Sequence, residues 1–228
     1  AARANYLSLD RVDIQFAVKE ICRGMASPTN RHMKMIKRLA RYLSGRGRVV
    51  WHFENQGSED LSVYSDADWA GCPYTRKSTS ATYLMHGSHL LATSSSTQTV
   101  IATSSGESEF YAAAKTASRT LGAVAMAKDL AVELAPRVKV DANAAKGIAS
   151  RRGVGKVRHL HVATLWLQEC ILSRRLRIEK EPGSTNVADL GTKHLGAGTP
   201  QVLMGLSGLK ALAGTSARAQ RARAARAP

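Results

Sequence analysis

Val63-Tyr64-Ser65-Asp66-Ala67-Asp68-Trp69-Ala70-Gly71 is the stretch that decides how this chain folds. An apolar run ends in carboxylates and gives way to small residues. A strand that delivers an acid to its end and then turns has this pattern, and sheets present metal ligands in this way. Asp is also a common cap of surface turns, so one isolated Asp does not separate the two readings. Three later stretches do. Ser104-Ser105-Gly106-Glu107-Ser108-Glu109-Phe110-Tyr111-Ala112-Ala113-Ala114 reads as a helix start carrying acids. Val138-Lys139-Val140-Asp141-Ala142-Asn143 reads as a short strand ending in Asp, and Asn186-Val187-Ala188-Asp189-Leu190-Gly191-Thr192-Lys193 as a helix start with an Asp. The order is Asp, Glu, Asp, Asp on strand, helix, strand and helix. Four convergent carboxylates suit two hard divalent cations, because Mg²⁺ takes oxygen ligands and has to be held beside a phosphate.

Four segments follow one another in a fixed order: Tyr64 to Gly71, Arg76 to Ser80, Ser104 to Phe110, and Ala188 to Lys193. They match the patterns aromatic-Ser-Asp-Ala-Asp-Trp-Ala-Gly, Arg-Lys-Ser-Thr-Ser, Ser-Ser-x-Glu-x-Glu-aromatic and Ala-Asp-x-x-Thr-Lys. As a set they resemble the ribonuclease H domain of copia-type LTR retrotransposon polyproteins, from about Ala4 to Leu195. The wording from Asn5-Tyr6-Leu7 to Arg41-Tyr42-Leu43 is similar to the end of the reverse transcriptase in the same polyproteins. The paired-Asp motif of the polymerase is absent, so the chain is not expected to polymerise.

The resemblance implies an α/β, ribonuclease H-like fold: a mixed five-stranded sheet flanked by helices and preceded by a small helical appendage. The expected divisions are 1–47 (helical, like the reverse transcriptase thumb or connection), 48–195 (ribonuclease H-like) and 196–228 (a basic Ala/Arg-rich tail, expected to be disordered). It implies hydrolysis of the RNA strand of RNA–DNA hybrids with two Mg²⁺ ions, for which Mn²⁺ substitutes. The implied ligands are Asp66, Glu109, Asp141 and Asp189. Asp66 and Asp68 lie two apart and share a strand face, so alternation does not choose between them; the family pattern points to Asp66. Glu107 and Glu109 project about half a helical turn apart, so one of them is expected to face the sheet. Glu109 lies beside the stripe Ala113, Ala117, Leu121, Val124 and matches the family's Glu-apolar-x-Ala. Glu107 is then an acid favoured by the helix dipole.

The sequence has 228 residues, with 33 basic and 17 acidic residues and a net charge of +16. That excess favours a polyanionic partner such as nucleic acid. Hydrophobic and charged contents of 44% and 22% are ordinary for a globular protein. Three widely spaced cysteines, Cys22, Cys72 and Cys170, show neither a disulfide framework nor a zinc pattern, which suggests a reducing compartment. No apolar run approaches a membrane span and no signal peptide is apparent, so the expectation is an intracellular protein without a membrane partner, in a cytoplasmic retroelement particle or the nucleus. The chain begins at Ala1 rather than Met and reads as a piece of a longer polyprotein, whose other parts are expected partners.

Ile14, Val18, Ile21 and Met25 recur at helical spacing. A second helix is expected from Ser27-Pro28, with Ser27 as N-cap and Met33, Ile36, Ala40 and Leu43 on its inner side. From Arg31 to Arg48 there are seven basic residues and no acid. Lys34, Lys37, Arg38 and Arg41 form either a solvated face or a track for a phosphate backbone. Strands are expected at Val49 to Phe53, Leu61 to Ser65, Ala81 to Met85, His89 to Thr93, Arg137 to Asp141 and Leu176 to Lys180, with a long Ala-rich helix over 106–134. In the Gly-punctuated loop after Ser150, Arg151, Arg152, Lys156 and Arg158 suit close approach to phosphates or a mobile surface loop. Asn143 is a candidate sugar contact.

Two departures from the family stand out. Glu181 to Ala188 contains no His of the kind many ribonucleases H carry before the last Asp; His159, His161 and His194 are the nearest. Cys72 stands where the family has an acid or amide, and reads as a harmless turn residue. The alternative function is a non-catalytic or domesticated nucleic-acid-binding module, or a structural subunit of a ribonucleoprotein, derived from such a domain.

Overall fold

Alternating apolar residues and turn chemistry divide the chain into α1 (Ala2–Leu7), α2 (Gln15–Cys22), α3 (Asn30–Gly45), β1 (Val49–Trp51), β2 (Asp60–Asp68), β3 (Thr79–His86), β4 (His89–Thr97), α4 (Ser105–Asp129), β5 (Ala135–Val140), α5 (Asn143–Ala149), α6 (Trp166–Leu172), β6 (Arg177–Lys180), α7 (Thr199–Leu206) and β7 (Leu209–Ala211). A 3₁₀ turn, Val187–Gly191, lies between β6 and α7. This computed structural model describes residues 1–155, 159–160, 162–196 and 198–211. The main sheet runs β4-β3-β2-β5-β6. β2, β3 and β4 are antiparallel neighbours, whereas β5 lies parallel to β2 and β6 parallel to β5. A parallel pair needs a long crossover, which α4 supplies between β4 and β5. The expected mixed five-stranded sheet is therefore present, with β2 at its centre.

Both faces of the sheet are covered, so β3 is buried from Thr79 to Met85. On one face Phe110, Ala113 and Ala117 of α4 pack with Val138, Val140, Leu167 and Ile178. Alanines at this interface let the helix lie close to the strands. On the other face Ala81, Tyr83 and Met85 meet Leu190, Leu203 and Leu209. The N-terminal segment has its own small core of Ile14, Val18, Ile21 and Leu39. It is tied to the sheet by Gln15 Nε2 donating to Thr93 Oγ1 at 2.9 Å and Lys19 Nζ donating to Thr79 Oγ1 at 2.7 Å.

Four expectations need correction. The strand expected at Val49 to Phe53 is shorter and stands outside the main sheet: β1 pairs antiparallel with β7, Val49 opposite Ala211. The main sheet accordingly begins at Asp60, not near residue 48. The tail expected to be disordered from Gly196 instead forms α7 and β7, because its low complexity hides Leu203, Met204 and Leu209, which are buried. Residues 212–228 lie outside the described residues. The second helix starts at Asn30, where Thr29 and His32 form a reciprocal capping box in place of a Ser27 cap. Its inner stripe is Met35, Ile36, Leu39, Tyr42 and Leu43, whereas Met33 and Ala40 are exposed. Among the described residues, no helix is long and apolar enough to cross a membrane.

Candidate metal centre

Asp66 lies near the end of the central strand, paired across from Ala81 of β3. β5 runs parallel beside β2 with Val140 opposite Ser65, so Asp141, the next residue, emerges alongside Asp66. Glu109 comes from the start of α4, whose first turn is fixed where Ser104 Oγ accepts the backbone N–H of Glu107 at 3.2 Å. The 3₁₀ turn carrying Asp189 is pinned to the same strand: Asn186 Nδ2 donates to the Ser65 carbonyl at 3.1 Å. Gly191 lets that turn approach β3 closely, since a Cβ there would meet the Ala81 Cβ at 2.7 Å.

Asp66, Glu109 and Asp141 each offer a carboxylate oxygen, all within 4.8 Å of one another. Asp189 is in side-chain contact with Asp66 but stands outside that group of three. The structure thus draws the four expected carboxylates to one end of the sheet, three as a cluster and one at its side. Two residues missed in the sequence complete the site. Thr192 Oγ1 donates to Asp66 Oδ2. Lys193 Nζ lies 2.9 Å from Asp189 Oδ1 and 4.0 Å from Asp66 Oδ2. The i, i+4 spacing of Asp189 and Lys193 was the signal that could have found the pair.

The electrostatics follow from packing acids together away from water. Burial, then the charges of Asp66 and Asp141, pushes Glu109 up to about 9. Burial and then Asp189 raise Asp66 to about 6. Asp141 is raised by burial and by Asp66. Burial would lower Lys193, but Asp66, Asp189 and Asp141 outweigh it and hold the ammonium above its ordinary value. Glu109 Oε2 is buried with no hydrogen-bond donor. An orphaned carboxylate oxygen within a cluster of acids fits a hard divalent cation, so these residues suit the metal that the sequence implies.

Glu107 is buried as well, by a different route from Glu109. Its Oε2 accepts from the Thr103 backbone N–H at 2.7 Å and Thr103 Oγ1 at 2.6 Å, and lies 3.0 Å from His159 Nε2. Burial would raise its carboxyl, but these hydrogen bonds outweigh burial and hold it at about 2. It does more than answer the helix dipole. His194 packs edge-on against Phe16, with ring centroids 4.9 Å apart. His161 lies outside the described residues. Cys72 is not a passive turn residue: Arg23 Nη2 donates to its Sγ at 2.9 Å, tying the turn after β2 to α2.

Lys34, Lys37, Arg38 and Arg41 are all exposed on α3. Arg38 and Lys193 line one cavity of about 320 Å³ between the helical segment and the loop after the 3₁₀ turn. Asn143 is exposed at the start of α5, two residues past Asp141. Arg152 is exposed, whereas Arg151 turns back so that its Nη2 donates to the Val154 carbonyl. Lys156 and Arg158 lie outside the described residues.

No protein-family model matches the chain. It is 34% identical over 113 residues to uncharacterized mitochondrial protein AtMg00810 of Arabidopsis thaliana, covering 50% of this chain and 47% of that protein. It is 28% identical over 193 residues to the retrovirus-related Pol polyprotein from transposon RE1 of the same plant, covering 83% of this chain and 13% of the polyprotein. Secreted RxLR effector protein 161 of Plasmopara viticola is 33% identical over 102 residues, which are 45% of this chain and 72% of the effector. The chain thus spans less than half the length of the first two relatives. Among solved structures, LC11-RNase H1 in complex with an RNA/DNA hybrid overlaps 58% of this chain and 93% of its own, at 18% identity and a TM-score of 0.41.

Proposed function

We propose that this chain, which is 28% identical over 193 residues to retrovirus-related Pol polyproteins, is the ribonuclease H portion of such a polyprotein and cuts the RNA strand of RNA–DNA hybrids. The observation that carries this reading is the trio of buried Asp66, buried Glu109 and half-buried Asp141, with Asp189 adjoining, around the central strand of the sheet. Asp66 would serve two divalent ions, Glu109 and Asp141 one of them, and Asp189 the other. Two Mg²⁺ ions, or Mn²⁺ in their place, supply an activated water for in-line attack and charge stabilisation at the leaving 3′ oxygen.

The chain's own groups prepare that chemistry. The Thr192 hydroxyl fixes the orientation of Asp66. Glu109, raised to about 9, carries a proton at neutral pH without metal and releases it when it becomes a ligand. The exposed cations of α3, with Arg152, meet phosphates and set affinity and register without choosing a sequence. Arg151, Lys156 and Arg158 belong to the same basic loop. Asn143, close to the end of β5, is suited to a sugar 2′-hydroxyl, the group that tells an RNA strand from DNA.

A labelled hybrid incubated with the chain, with and without Mg²⁺, tests the reading, with Asp141→Asn as control. Asn keeps the side-chain shape and loses the charge that holds a divalent ion. Cleavage should need Mg²⁺ and should fall at least ~100-fold in the variant, matching the loss of several kcal/mol of charge stabilisation, while hybrid binding changes little. Undiminished cleavage by Asp141→Asn overturns the metal assignment. Binding without any cleavage by the wild-type chain points instead to a nucleic-acid-binding module.

A further inference from the structure

The ammonium of Lys193 is placed where a second cation would be needed. It pairs with Asp189 Oδ1 at 2.9 Å and reaches Asp66 Oδ2 at 4.0 Å, so it meets the two acids that the second ion would have to share. Asp189 is the acid that stands outside the compact trio. The tether is short and local: Lys193 follows Asp189 by four residues at the end of one turn, and the intervening Thr192 holds the same oxygen of Asp66. The lysine side chain is nevertheless 42% exposed and lines a cavity of about 320 Å³, so the arm has room to swing away. Glu109 Oε2, within the trio, is left with no donor at all. Asp189 is thus already paired with a cation from within the chain.

We infer that Lys193 acts as a built-in placeholder for the second divalent ion: Asp66, Glu109 and Asp141 load one ion readily, and Asp189 joins a second only when the ammonium is displaced. The inference rests on the metal reading above and adds an order of loading to it. Lys193 is here a positioning residue. It repels an incoming divalent ion from the Asp189 side and holds Asp189 in place until one arrives. Its displacement makes the second ion weaker than the first, so the site would fill completely only at higher metal concentration or when a phosphate helps to draw the ion in.

The test is a Mn²⁺ titration of the full 228-residue chain at constant ionic strength and without nucleic acid, read by calorimetry and by counting free Mn²⁺ with electron paramagnetic resonance. The wild-type chain should bind one Mn²⁺ tightly and a second clearly more weakly. Lys193→Met, which keeps the length and removes the charge, should tighten the second ion by about tenfold, because a like charge beside the incoming ion is gone. The first ion should move less. Lys193→Arg, which keeps the cation, should retain the wild-type separation. Lys193→Gln carries the same comparison if the Met variant does not fold. Equal second-ion affinities in the wild-type chain and the neutral variants, with hybrid cleavage intact, overturn the placeholder and leave the proposed function standing. A wild-type chain that binds no Mn²⁺ overturns both.

Discussion

Glu107 and Glu109 show how two residues with one side-chain chemistry separate. Both are buried, but Glu107 is surrounded by donors and Glu109 by other acids. The folded-state value of Glu109, about 9, lies above its ordinary 4.5. Its contribution to stability is therefore fully present below about pH 4.5 and lost as pH rises through about 9. Glu109→Gln removes that dependence. In chelator, the variant and the wild-type chain should melt alike near pH 5, and the variant should melt higher by pH 8. Even a tenfold difference in proton affinity, about 1.4 kcal/mol, moves the Tm of a chain this size by about 3–5 °C. Parallel melting curves across pH 5–8.5 would count against an acid cluster. Glu107 has the opposite sign. Held at about 2, it contributes stability above about pH 4.5 that is lost only as pH falls through about 2. Glu107→Ala leaves the Thr103 donors unsatisfied and should cost about 1–3 kcal/mol while leaving Mn²⁺ binding close to wild type. A loss of metal binding in that variant would mean that the wrong glutamate has been placed in the site.

At the scale of single elements, α3 and the α7–β7 pair make different demands. The outer face of α3 is built from Lys34, Lys37, Arg38 and Arg41, and its inner face from Leu39 and its neighbours. Changing the four cations to Gln leaves the inner face alone. Hybrid affinity should fall, and the slope of log K against log salt should flatten by about 0.7–0.9 for each phosphate that the helix no longer neutralises. Fluorescence anisotropy at several salt concentrations measures both, and an unchanged slope would mean a merely solvated face. Leu209 in β7 is 1% exposed and packs beneath the sheet. Leu209→Ala should cost about 2–5 kcal/mol, measured by chemical denaturation, as expected for a buried side chain and not for a loose tail. α4 was visible in sequence because the acids at its start and its alanines agree. β7 was not, because three residues paired with a strand some 160 positions earlier carry no local signature.

For the whole molecule, the net charge of +16 and the cluster of acids act in opposite directions. A basic excess favours a polyanion, while acids packed together repel one another. Divalent metal should therefore stabilise the fold as well as enable cleavage. At a Mg²⁺ concentration about 100 times the dissociation constant, linkage gives about 2.7 kcal/mol, read as a rise in Tm that chelator reverses. A Tm that is indifferent to Mg²⁺ at pH 8 would contradict the cluster as a metal site.

The sequence by itself determined the central strand, the long Ala-rich helix, the order of the four acids and the place of Glu109, not Glu107, beside the apolar stripe. These rest on period, composition and spacing, which are properties of neighbouring residues. Only the tertiary structure decided that β1 leaves the main sheet to pair with β7, and that Arg151 folds onto its own loop. Only the tertiary structure set Lys193 between Asp189 and Asp66. Pairing across long separations and the direction of a flexible side chain depend on what the rest of the chain brings within reach. No local pattern encodes them.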